Sequence, residues 1–362
     1  MKLFQNIYQG KKVFVTGHTG FKGSWLFHWL EFMGAEVAGY ALEPNSEPNH
    51  FTQIKPKGIS VINDIRDAEK LEHSINSFQP DIVFHLAAQP LVRYSYANPL
   101  ETYQTNVIGT LNLLEACRKT NSVKAVVCVT TDKVYENHEN PDGYSESDRL
   151  GGYDPYSSSK ACSEILVSSF VNSFLNTAEY GKSHNKLVAT ARGGNVVGGG
   201  DWSEDRLIPD MIRSYSSNNK LVIRNPNSVR PWQHVLDCLS GYLLLGQNLL
   251  EVKLEKAKPW NFGPTEKEFV SVESIVQMGQ KYLGSIPVEF GSSGLHETGM
   301  LQLNCENAIS ELGWLPILDN EQSFQLVFDW YKDFYDENRI STTTQLQEYI
   351  SLAKQLNSVW IQ

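Results

Sequence analysis

Five polar residues in two short segments have the types and spacing needed to move protons. Tyr156 precedes Lys160 by four residues, and on a helix this spacing places both side chains on one face, about 5–6 Å apart at Cβ. An ammonium so close would favour the ionised phenol, which makes Tyr156 a candidate base. Thr131, Asp132 and Lys133 follow an apolar run and add a hydroxyl that can share the tyrosine's proton, a carboxylate and a second ammonium. Because oxidation of an alcohol needs fewer groups, the sequence predicts more than one proton transfer.

The Tyr-x-x-x-Lys pattern also arises by chance, so a catalytic role can be inferred only from the sequence elements around it. Residues 12–16 have the pattern of a buried strand and lead into Gly17-His18-Thr19-Gly20-Phe21-Lys22-Gly23, after which apolar residues recur at helical spacing. Glycines three apart let the backbone approach a pyrophosphate, whose charge is met by amide groups at a helix N-terminus. The segment therefore predicts a dinucleotide loop, although its spacing differs from the Gly-x-Gly-x-x-Gly of ordinary dinucleotide folds.

Apolar runs alternate with helical patterns through the first half of the chain. We predict strands at residues 13–16, 36–40, 60–62, 81–86, 125–130 and 187–191, and helical segments around residues 103–114 and 167–174. This alternation is typical of an α/β fold with a Rossmann-like, doubly wound parallel sheet. Ligands of such sheets bind beyond the carboxyl ends of the strands. The glycine loop, the segment His85-Leu86-Ala87-Ala88-Gln89 and the residues 131–133 all fall at that edge.

Beyond about residue 195 the alternation weakens and turn signals increase, as in Gly198-Gly199-Gly200-Asp201-Trp202. We expect a smaller, mixed C-terminal substrate-binding lobe there. The predicted domains are a dinucleotide-binding Rossmann domain over 1–190, joined by part of 225–265, and a mainly substrate-binding lobe over 191–362.

Composition excludes several classes of protein. The chain has 362 residues and 41% apolar content, which is enough for a sizeable core. Its formal charge of −10 argues against a nucleic-acid partner. No apolar run approaches a membrane span and no signal-peptide core is present, so we expect a cytoplasmic enzyme. The five cysteines have no paired spacing and the histidines do not cluster with them, which predicts reduced thiols and no metal site.

Further segments match the pattern of one family. They are the glycine loop, His85-Leu86-Ala87-Ala88, Thr105-Asn106-Val107-x-Gly109-Thr110, Tyr156-x-x-x-Lys160 and Arg230-Pro231-Trp232-x-x-Val235-x-Asp237. With them the chain resembles the extended short-chain dehydrogenase/reductase family of nucleotide-sugar enzymes over nearly its whole length. That family implies NAD as the cofactor, a nucleotide sugar as the substrate and a homodimer or homotetramer.

Two segments narrow the resemblance to members that dehydrate CDP-glucose. They are Thr131-Asp132-Lys133-Val134-Tyr135-Glu136-Asn137 and Arg192-Gly193-Gly194-Asn195-Val196-Val197-Gly198-Gly199-Gly200-Asp201-Trp202. Members that act on dTDP-glucose carry an Asp-Glu pair where this chain has Asp132-Lys133. The resemblance thus implies CDP-glucose as the substrate and a role in deoxysugar biosynthesis for surface polysaccharide such as lipopolysaccharide O-antigen.

The resemblance also implies a role for each candidate catalytic residue. Tyr156, as phenolate, would take the proton of the sugar 4-hydroxyl while hydride passes to NAD. The new carbonyl acidifies the hydrogen on carbon 5, and after its removal Asp132 would protonate the leaving 6-hydroxyl. Hydride then returns to carbon 6. Lys133 stands where relatives have a glutamate base, and it is either a neutral base or a fixed cation that stabilises the enolate; the sequence leaves both open.

The implied contacts extend over the whole predicted sheet edge. Cofactor contacts are expected from Gly17, Thr19, Gly20, Phe21, Lys22, Gly23, Asp64, Ile65, Leu86, Ala87, Ala88, Gln89, Thr105, Tyr156, Lys160 and Val196. Substrate contacts are expected from Gln89, Thr131, Asn195, Arg206, Leu207, Arg224, Arg230 and Asn261. Arginine suits a diphosphate because its planar fork gives bidentate, always charged contacts. No arginine follows the second strand, which favours NAD over NADP, and Glu43 is either a ribose ligand or a loop carboxylate.

Three competing functions share parts of this pattern. A nucleotide-sugar 4-epimerase would use Tyr156, Lys160 and the glycine loop but needs no acid at Asp132. A dehydratase of a dTDP- or GDP-sugar would use all of these residues. A non-catalytic NAD-sensing protein usually loses the tyrosine-lysine pair, which is intact here.

Overall fold

The fold is built on one parallel sheet with helices on both faces. A computed structural model of the protein describes residues 2–217, 219–223, 225–265, 270–291 and 301–362. Its strands are β1 Lys12–Thr16, β2 Glu36–Ala41, β3 Ile59–Ile62, β4 Ile82–His85, β5 Ala125–Thr131, β6 Leu187–Gly193, β7 Asn195–Val197, β8 Leu221–Ile223, β9 Val229–Arg230, β10 Trp232–His234, β11 Trp260–Phe262, β12 Val270–Ser271 and β13 Val288–Phe290.

The helices lie between these strands and after them. They are α1 Phe21–Phe32, α2 His50–Ile54, α3 Ala68–Phe78, α4 Val92–Ala97, α5 Pro99–Tyr103, α6 Gly109–Lys119, α7 Pro155–Phe174, α8 Leu207–Ser217, α9 Val235–Leu250, α10 Val272–Leu283, α11 Glu306–Leu312, α12 Asn320–Asp336 and α13 Thr342–Gln355. Short 3₁₀ turns span Phe4–Asn6, Asp132–Val134, Thr177–Glu179 and Leu254–Lys256, and Gln104–Ile108 forms a π-helical turn. No helix among the described residues is both long and apolar enough to cross a bilayer.

The seven strands of the main sheet have the order β3-β2-β1-β4-β5-β6-β11, and every neighbouring pair is parallel. The α/β, doubly wound, Rossmann-like fold predicted from the sequence is therefore confirmed. Strand β1 pairs with both β2 and β4. Strands β2 and β3 therefore extend the sheet on one side of β1, and β4, β5 and β6 extend it on the other side. Open α/β sheets bind ligands at such a switch point, beyond the carboxyl ends of the strands.

Two apolar layers hold the sheet. One includes Trp25 of α1, Leu243 of α9 and Phe328 of α12, and the other includes Leu113 of α6 and Val167 of α7. Each fully buried large apolar side chain contributes about 1.5–3 kcal/mol to folding. Because both faces are covered, strands such as β5 are buried along their whole length, which explains their unbroken apolar sequence.

The predicted strands are confirmed with ends shifted by one or two residues. The helix predicted around residues 103–114 differs, because α5 and α6 are separated by the π-helical turn. In that turn the Asn106 side chain is buried, and its Nδ2 donates to the Gln89 carbonyl and to the Ser159 hydroxyl. The widened turn thus ties the loop after β4 to α7, which periodicity alone does not reveal.

The C-terminal half adds small strand pairs rather than a second large sheet. Strand β7 pairs with β10, β8 with β13 and β9 with β12. Strand β11 returns to the main sheet beside β6, so residues far along the chain complete its edge. All five cysteines lie in the described part of the chain and carry free thiols.

Candidate active site

The glycine loop between β1 and α1 leaves room for a ligand backbone. Gly17 has a φ of +72°, which L side chains rarely adopt, and a Cβ there would lie 2.7 Å from the Ala87 nitrogen. A Cβ on Gly23 would collide with the Gly17 carbonyl. Helix α1 starts after Gly20, and no side chain caps it. Its first amide groups therefore remain available to an anion such as a pyrophosphate.

A cavity of about 1230 Å³ opens at the switch point and receives most of the predicted site. Its lining includes predicted residues from both ends of the chain: Gly17, Thr19, Gly20, Phe21, Lys22, Gly23, Asp64, Ile65, Leu86, Ala87, Ala88, Thr105, Thr131, Asp132, Lys133, Tyr156, Lys160, Asn195, Val196, Arg206, Leu207 and Arg230. The volume is large enough for a dinucleotide and a sugar nucleotide side by side, since sites for drug-sized ligands take about 300–1,000 Å³.

The start of α7 positions the tyrosine and the lysine. Asp154 caps the helix by accepting a hydrogen bond from the Ser157 nitrogen at 3.0 Å, and Pro155 occupies the first turn. Tyr156 and Lys160 then follow one turn apart and both are buried. The Lys160 Nζ donates to the Val129 carbonyl at 2.9 Å. Burial, with the ammonium of Lys22 adding to it, lowers the pKa of Lys160 to about 8.

Tyr156, Thr131 and Asp132 form a connected set of hydroxyl and carboxyl groups. The phenol of Tyr156 is hydrogen-bonded to the Thr131 side chain, and the Thr131 hydroxyl donates to Asp132 Oδ1 at 2.8 Å. Asp132 is 1% exposed, and its Oδ2 has no hydrogen-bond partner among the described residues. The second carboxyl oxygen is therefore available to a ligand in the cavity.

The expected support of the phenolate by Lys160 is not met in this state. Burial raises the pKa of Tyr156 to about 12; the Thr131 hydrogen bond opposes this rise and the Asp132 charge adds to it. The ammonium of Lys160 instead bonds to the backbone of β5. The support of the phenolate by Lys160 stays a prediction, because one backbone bond leaves two donors of the ammonium for other partners.

Lys133 is held between two acceptor oxygens. Its Nζ lies 3.4 Å from Asp132 Oδ1 and 3.4 Å from Asn195 Oδ1. Its side chain is 31% exposed, so water reaches it from the cavity. Two acceptors at this distance suit an ammonium that donates to both.

A buried ion pair lies directly behind these groups. Glu164, one turn after Lys160 on α7, accepts from Arg192 Nε at 3.0 Å and from Arg192 Nη2 at 2.9 Å. The hydroxyls of Thr130 and Thr190 also donate to Glu164. The pair joins α7 to β5 and β6, and both side chains are almost fully buried. It thereby fixes the position of Tyr156 relative to Thr131.

Replacement Glu164→Gln is expected to lower the free energy of unfolding by about 3–5 kcal/mol, because it leaves the Arg192 charge buried without its counter-ion. Urea unfolding followed by circular dichroism measures this. The matched control is Glu115→Gln in the exposed pair with Arg118, where the expected loss is under about 1 kcal/mol. Equal small losses in both variants would show that the buried pair does not stabilise the fold.

Two of the predicted contact residues, Gln89 and Asn261, do not line the cavity. Gln89 folds back on its own loop, where its side chain bonds to Leu91 and Thr102. Asn261 is fully buried, its Nδ2 donates to the carbonyls of Tyr144 and Asn304, and its Oδ1 accepts from Tyr135. In the ligand-free chain both side chains bond to neighbouring protein groups, and their predicted ligand contacts stay predictions. Arg224 lies outside the described residues.

The cavity also has lining residues that the sequence argument did not predict. Arg93, Tyr96, Glu136, Arg149 and Tyr153 line it as well. They come from the loop and helix after β4 and from the long segment between β5 and α7. No regular apolar periodicity in these segments points to the cavity, so only the folded chain brings them to the site.

Comparisons with known proteins agree with this geometry. The sequence pattern of the NAD dependent epimerase/dehydratase family matches residues 13–261. CDP-glucose 4,6-dehydratase of Salmonella typhimurium is 46% identical over 96% of this chain and 98% of its own. CDP-paratose 2-epimerase of Salmonella typhi is 25% identical over 88% of this chain and 98% of its own.

Solved structures show the same fold. The dTDP-glucose 4,6-dehydratase of Streptomyces venezuelae, solved with NAD bound, has a TM-score of 0.76 and 22% identity, covering 91% of this chain and 100% of its own. UDP-glucose 4-epimerase of Thermotoga maritima has a TM-score of 0.76 and 22% identity, covering 89% of this chain and 99% of its own. Since the family pattern spans more than half of the chain and a relative at 46% identity spans almost all of it, the chain belongs to the NAD dependent epimerase/dehydratase family.

Proposed function

We propose that this protein is a CDP-glucose 4,6-dehydratase that converts CDP-D-glucose to CDP-4-dehydro-6-deoxy-D-glucose and water with NAD as its cofactor. The observation that carries the proposal is the Tyr156–Thr131–Asp132 set, which places a base for an alcohol and an acid for a leaving hydroxyl in one cavity. The 46% identity to a CDP-glucose 4,6-dehydratase supports the same activity. The product fits deoxysugar biosynthesis for surface polysaccharide.

The described residues fit the cofactor. The uncapped start of α1 and the bare glycine backbone suit the pyrophosphate, and Asp64 and Ile65 line the far end of the cavity where the adenosine would bind. Lys160 and Tyr156 would hold the nicotinamide ribose. When bound, NAD supplies the acceptor and then the donor of the hydride.

Tyr156 and Thr131 act on the sugar 4-hydroxyl in the first stage. Tyr156 accepts the proton of that hydroxyl as the carbon–hydrogen bond at carbon 4 breaks. Because burial raises the pKa of the free phenol to about 12, Tyr156 must first lose its proton to solvent in the open cavity, and the Thr131 hydroxyl is placed to relay that proton. Lys160 donates to the backbone in this structure and would turn to the ribose when the cofactor binds.

Asp132 acts in the second stage. In its protonated form Asp132 would donate the proton of Oδ2, which is buried and without a partner among the described residues, to the 6-hydroxyl so that water leaves. The 4-carbonyl makes the hydrogen on carbon 5 acidic, and water in the cavity would take that proton while Lys133, held beside Asp132 and Asn195, stabilises the resulting enolate. We propose the fixed-cation role for Lys133, and the variants described next distinguish it from a neutral base.

Two variants of Lys133 separate those roles. Lys133→Arg keeps the positive charge, so we expect it to retain activity within about tenfold, whereas Lys133→Met should slow hydrogen–deuterium exchange at carbon 5 by roughly 100-fold or more. Exchange is followed by mass spectrometry of the sugar. Loss of activity in the Arg variant as well, with a titrating step near neutral pH in the parent, would instead identify a neutral base. Parent activity in the Met variant would exclude both.

One substrate panel tests the proposed function as a whole. The purified protein is incubated with NAD and, separately, with CDP-glucose, dTDP-glucose, UDP-glucose and GDP-mannose. We expect a product lighter by one water from CDP-glucose and much slower conversion of the others. Efficient dehydration of a different nucleotide sugar would move the assignment to that substrate. A product of unchanged mass, with the 4-hydroxyl inverted, would identify a 4-epimerase.

Several finer features are part of the same proposal. Arg206 and Arg230 line the cavity, and we propose that they bind the diphosphate of the substrate. The proposed substrate-binding lobe is formed mainly by residues 191–362, and the proposed NAD-binding domain by residues 1–190 joined by part of 225–265. A homodimer or homotetramer is proposed on the exposed apolar side chains of the α5–α7 region, namely Leu100, Ile108, Leu111, Ile165 and Phe174, and light scattering decides it. The cytoplasmic location stays a prediction from the sequence.

A further inference from the structure

Arg206 reaches the cavity from the segment that precedes α8. Its Nη1 donates to Asp201 Oδ2 at 2.8 Å, and both residues line the cavity. The Arg206 side chain is 34% exposed, whereas the Asp201 side chain is 6% exposed. The charge of Arg206 also acts on the phenol of Tyr156, so the guanidinium lies toward the reacting end of the cavity. The ion pair thus has a buried carboxylate behind an arginine that a ligand can reach.

The carboxylate of Asp201 is itself held in place by its surroundings. Its Oδ1 accepts from the Ser203 nitrogen at 3.0 Å, which closes a turn of the loop. The Tyr331 hydroxyl of α12 accepts from the Asp201 nitrogen at 2.9 Å and donates to the Asp201 carbonyl at 2.5 Å. Tyr331 is fully buried. Asp201 therefore offers Arg206 an acceptor whose position is set by the core.

A carboxylate behind an arginine has two opposite effects on the binding of a diphosphate. It orients the planar guanidinium, and bidentate contact with a phosphate depends on that orientation. It also adds a negative charge that repels the diphosphate. We expect orientation to have the larger effect, because a long side chain that is already ordered loses less conformational entropy on binding. A guanidinium without this anchor would also be attracted to the Asp132 carboxylate, which lines the same cavity.

We propose that Asp201 is a positioning residue that holds the Arg206 guanidinium in the orientation that binds the diphosphate of the nucleotide sugar. The inference rests on the proposed function, which supplies the diphosphate. Asp201 acts through Arg206 and does not touch the substrate itself, because its two carboxyl oxygens accept from the Ser203 nitrogen and from Arg206.

Replacement Asp201→Asn separates orientation from charge by the sign of its effect. The amide keeps an oxygen for the Ser203 nitrogen and presents an NH2 group to the guanidinium, so the bond to Arg206 is lost. CDP is titrated by calorimetry into the full-length protein loaded with NAD. Loss of orientation should raise the Kd for CDP and the KM for CDP-glucose by about tenfold, with kcat within about threefold of the parent. Loss of the charge alone would lower both constants.

A double-mutant cycle tests whether Asp201 acts through Arg206. In an Arg206→Ala background, Asp201→Asn should leave the Kd for CDP unchanged, because the group that Asp201 orients is absent. The control is Asp333→Asn, which removes a carboxylate that pairs with Arg339 away from the cavity lining and should keep the parent Kd. If Asp201→Asn does not fold by circular dichroism, Asp201→Ser replaces it, because a serine hydroxyl also accepts from the backbone two residues on.

The other outcomes overturn the inference in distinguishable ways. An unchanged or lower Kd for CDP in Asp201→Asn would overturn it and leave the proposed function standing. An equal rise in Kd in the Arg206→Ala background would show that Asp201 supports the loop as a whole, and a fall in kcat at constant KM would show that the ion pair acts on the reacting groups. Both results would overturn the inference.

The same titration separates this inference from the proposed function. Binding of dTDP or UDP but not CDP by the parent would move the substrate assignment, and the same variants titrated with that nucleotide would then decide the role of Asp201. If the parent binds none of the three nucleotides, the proposed function and this inference fail together.

Discussion

Replacement Tyr156→Phe is expected to reduce formation of the 4-keto sugar by roughly 10³–10⁴-fold, the upper part of the range for loss of a general base. Only the hydroxyl is removed, so the ring still packs at the start of α7. Loss of its hydrogen bond to Thr131 should lower the free energy of unfolding by only about 1 kcal/mol. The measurements are turnover of CDP-glucose and the absorbance of reduced cofactor after mixing enzyme and substrate, and neither product nor reduced cofactor should form.

The control for this variant is Tyr94→Phe, which removes a phenolic hydroxyl that bonds to Glu101 at the surface. It should keep the parent rate. Substantial turnover in Tyr156→Phe, with the fold intact by circular dichroism, would show that another group removes the proton of the 4-hydroxyl. Because Lys160 bonds to the backbone of β5, that group would have to be sought on another element.

Replacement Asp132→Asn is expected to slow loss of water by roughly 10²–10⁴-fold while oxidation at carbon 4 continues. An amide oxygen at this position still accepts the hydrogen bond from Thr131, so the hydroxyl chain that orients Tyr156 is kept. The proton for the leaving 6-hydroxyl is lost. Absorbance at the reduced nicotinamide band should therefore rise after substrate is added, without a matching rise in dehydrated product.

The control is Asp67→Asn at the start of α3, where asparagine caps a helix as well as aspartate. Dehydration at the parent rate in Asp132→Asn would make this carboxyl structural. Loss of oxidation as well as dehydration would mean that Asp132 also accepts the phenol's proton through Thr131. Together, Tyr156→Phe and Asp132→Asn assign oxidation at carbon 4 to Tyr156 and loss of water to Asp132.

Local sequence patterns were sufficient to predict the parallel sheet and the glycine loop. Apolar runs predicted strands β1 to β6 of the sheet, because a strand buried on both faces must be apolar along its length. The positive φ of Gly17 and the collision that a Cβ on Gly23 would cause explain why glycines mark the loop. Tyr156 and Lys160 could be predicted because they lie one turn apart at the start of α7, and Thr131 because it ends the apolar strand β5.

The tertiary structure decided which of these groups contact one another. Thr131 and Tyr156 meet because parallel pairing and the Glu164–Arg192 pair hold β5 against α7, and such non-local register leaves no periodic trace in a sequence. The Asn261 side chain donates to two backbone carbonyls, and Lys160 donates one hydrogen bond to the Val129 carbonyl, because buried polar groups must find the partners that their surroundings offer. The sequence by itself determined which residues can do chemistry and at which edge of the sheet they lie. Packing between distant elements determined which of their polar atoms are already hydrogen-bonded, because hydrogen-bond satisfaction is a property of the folded interior.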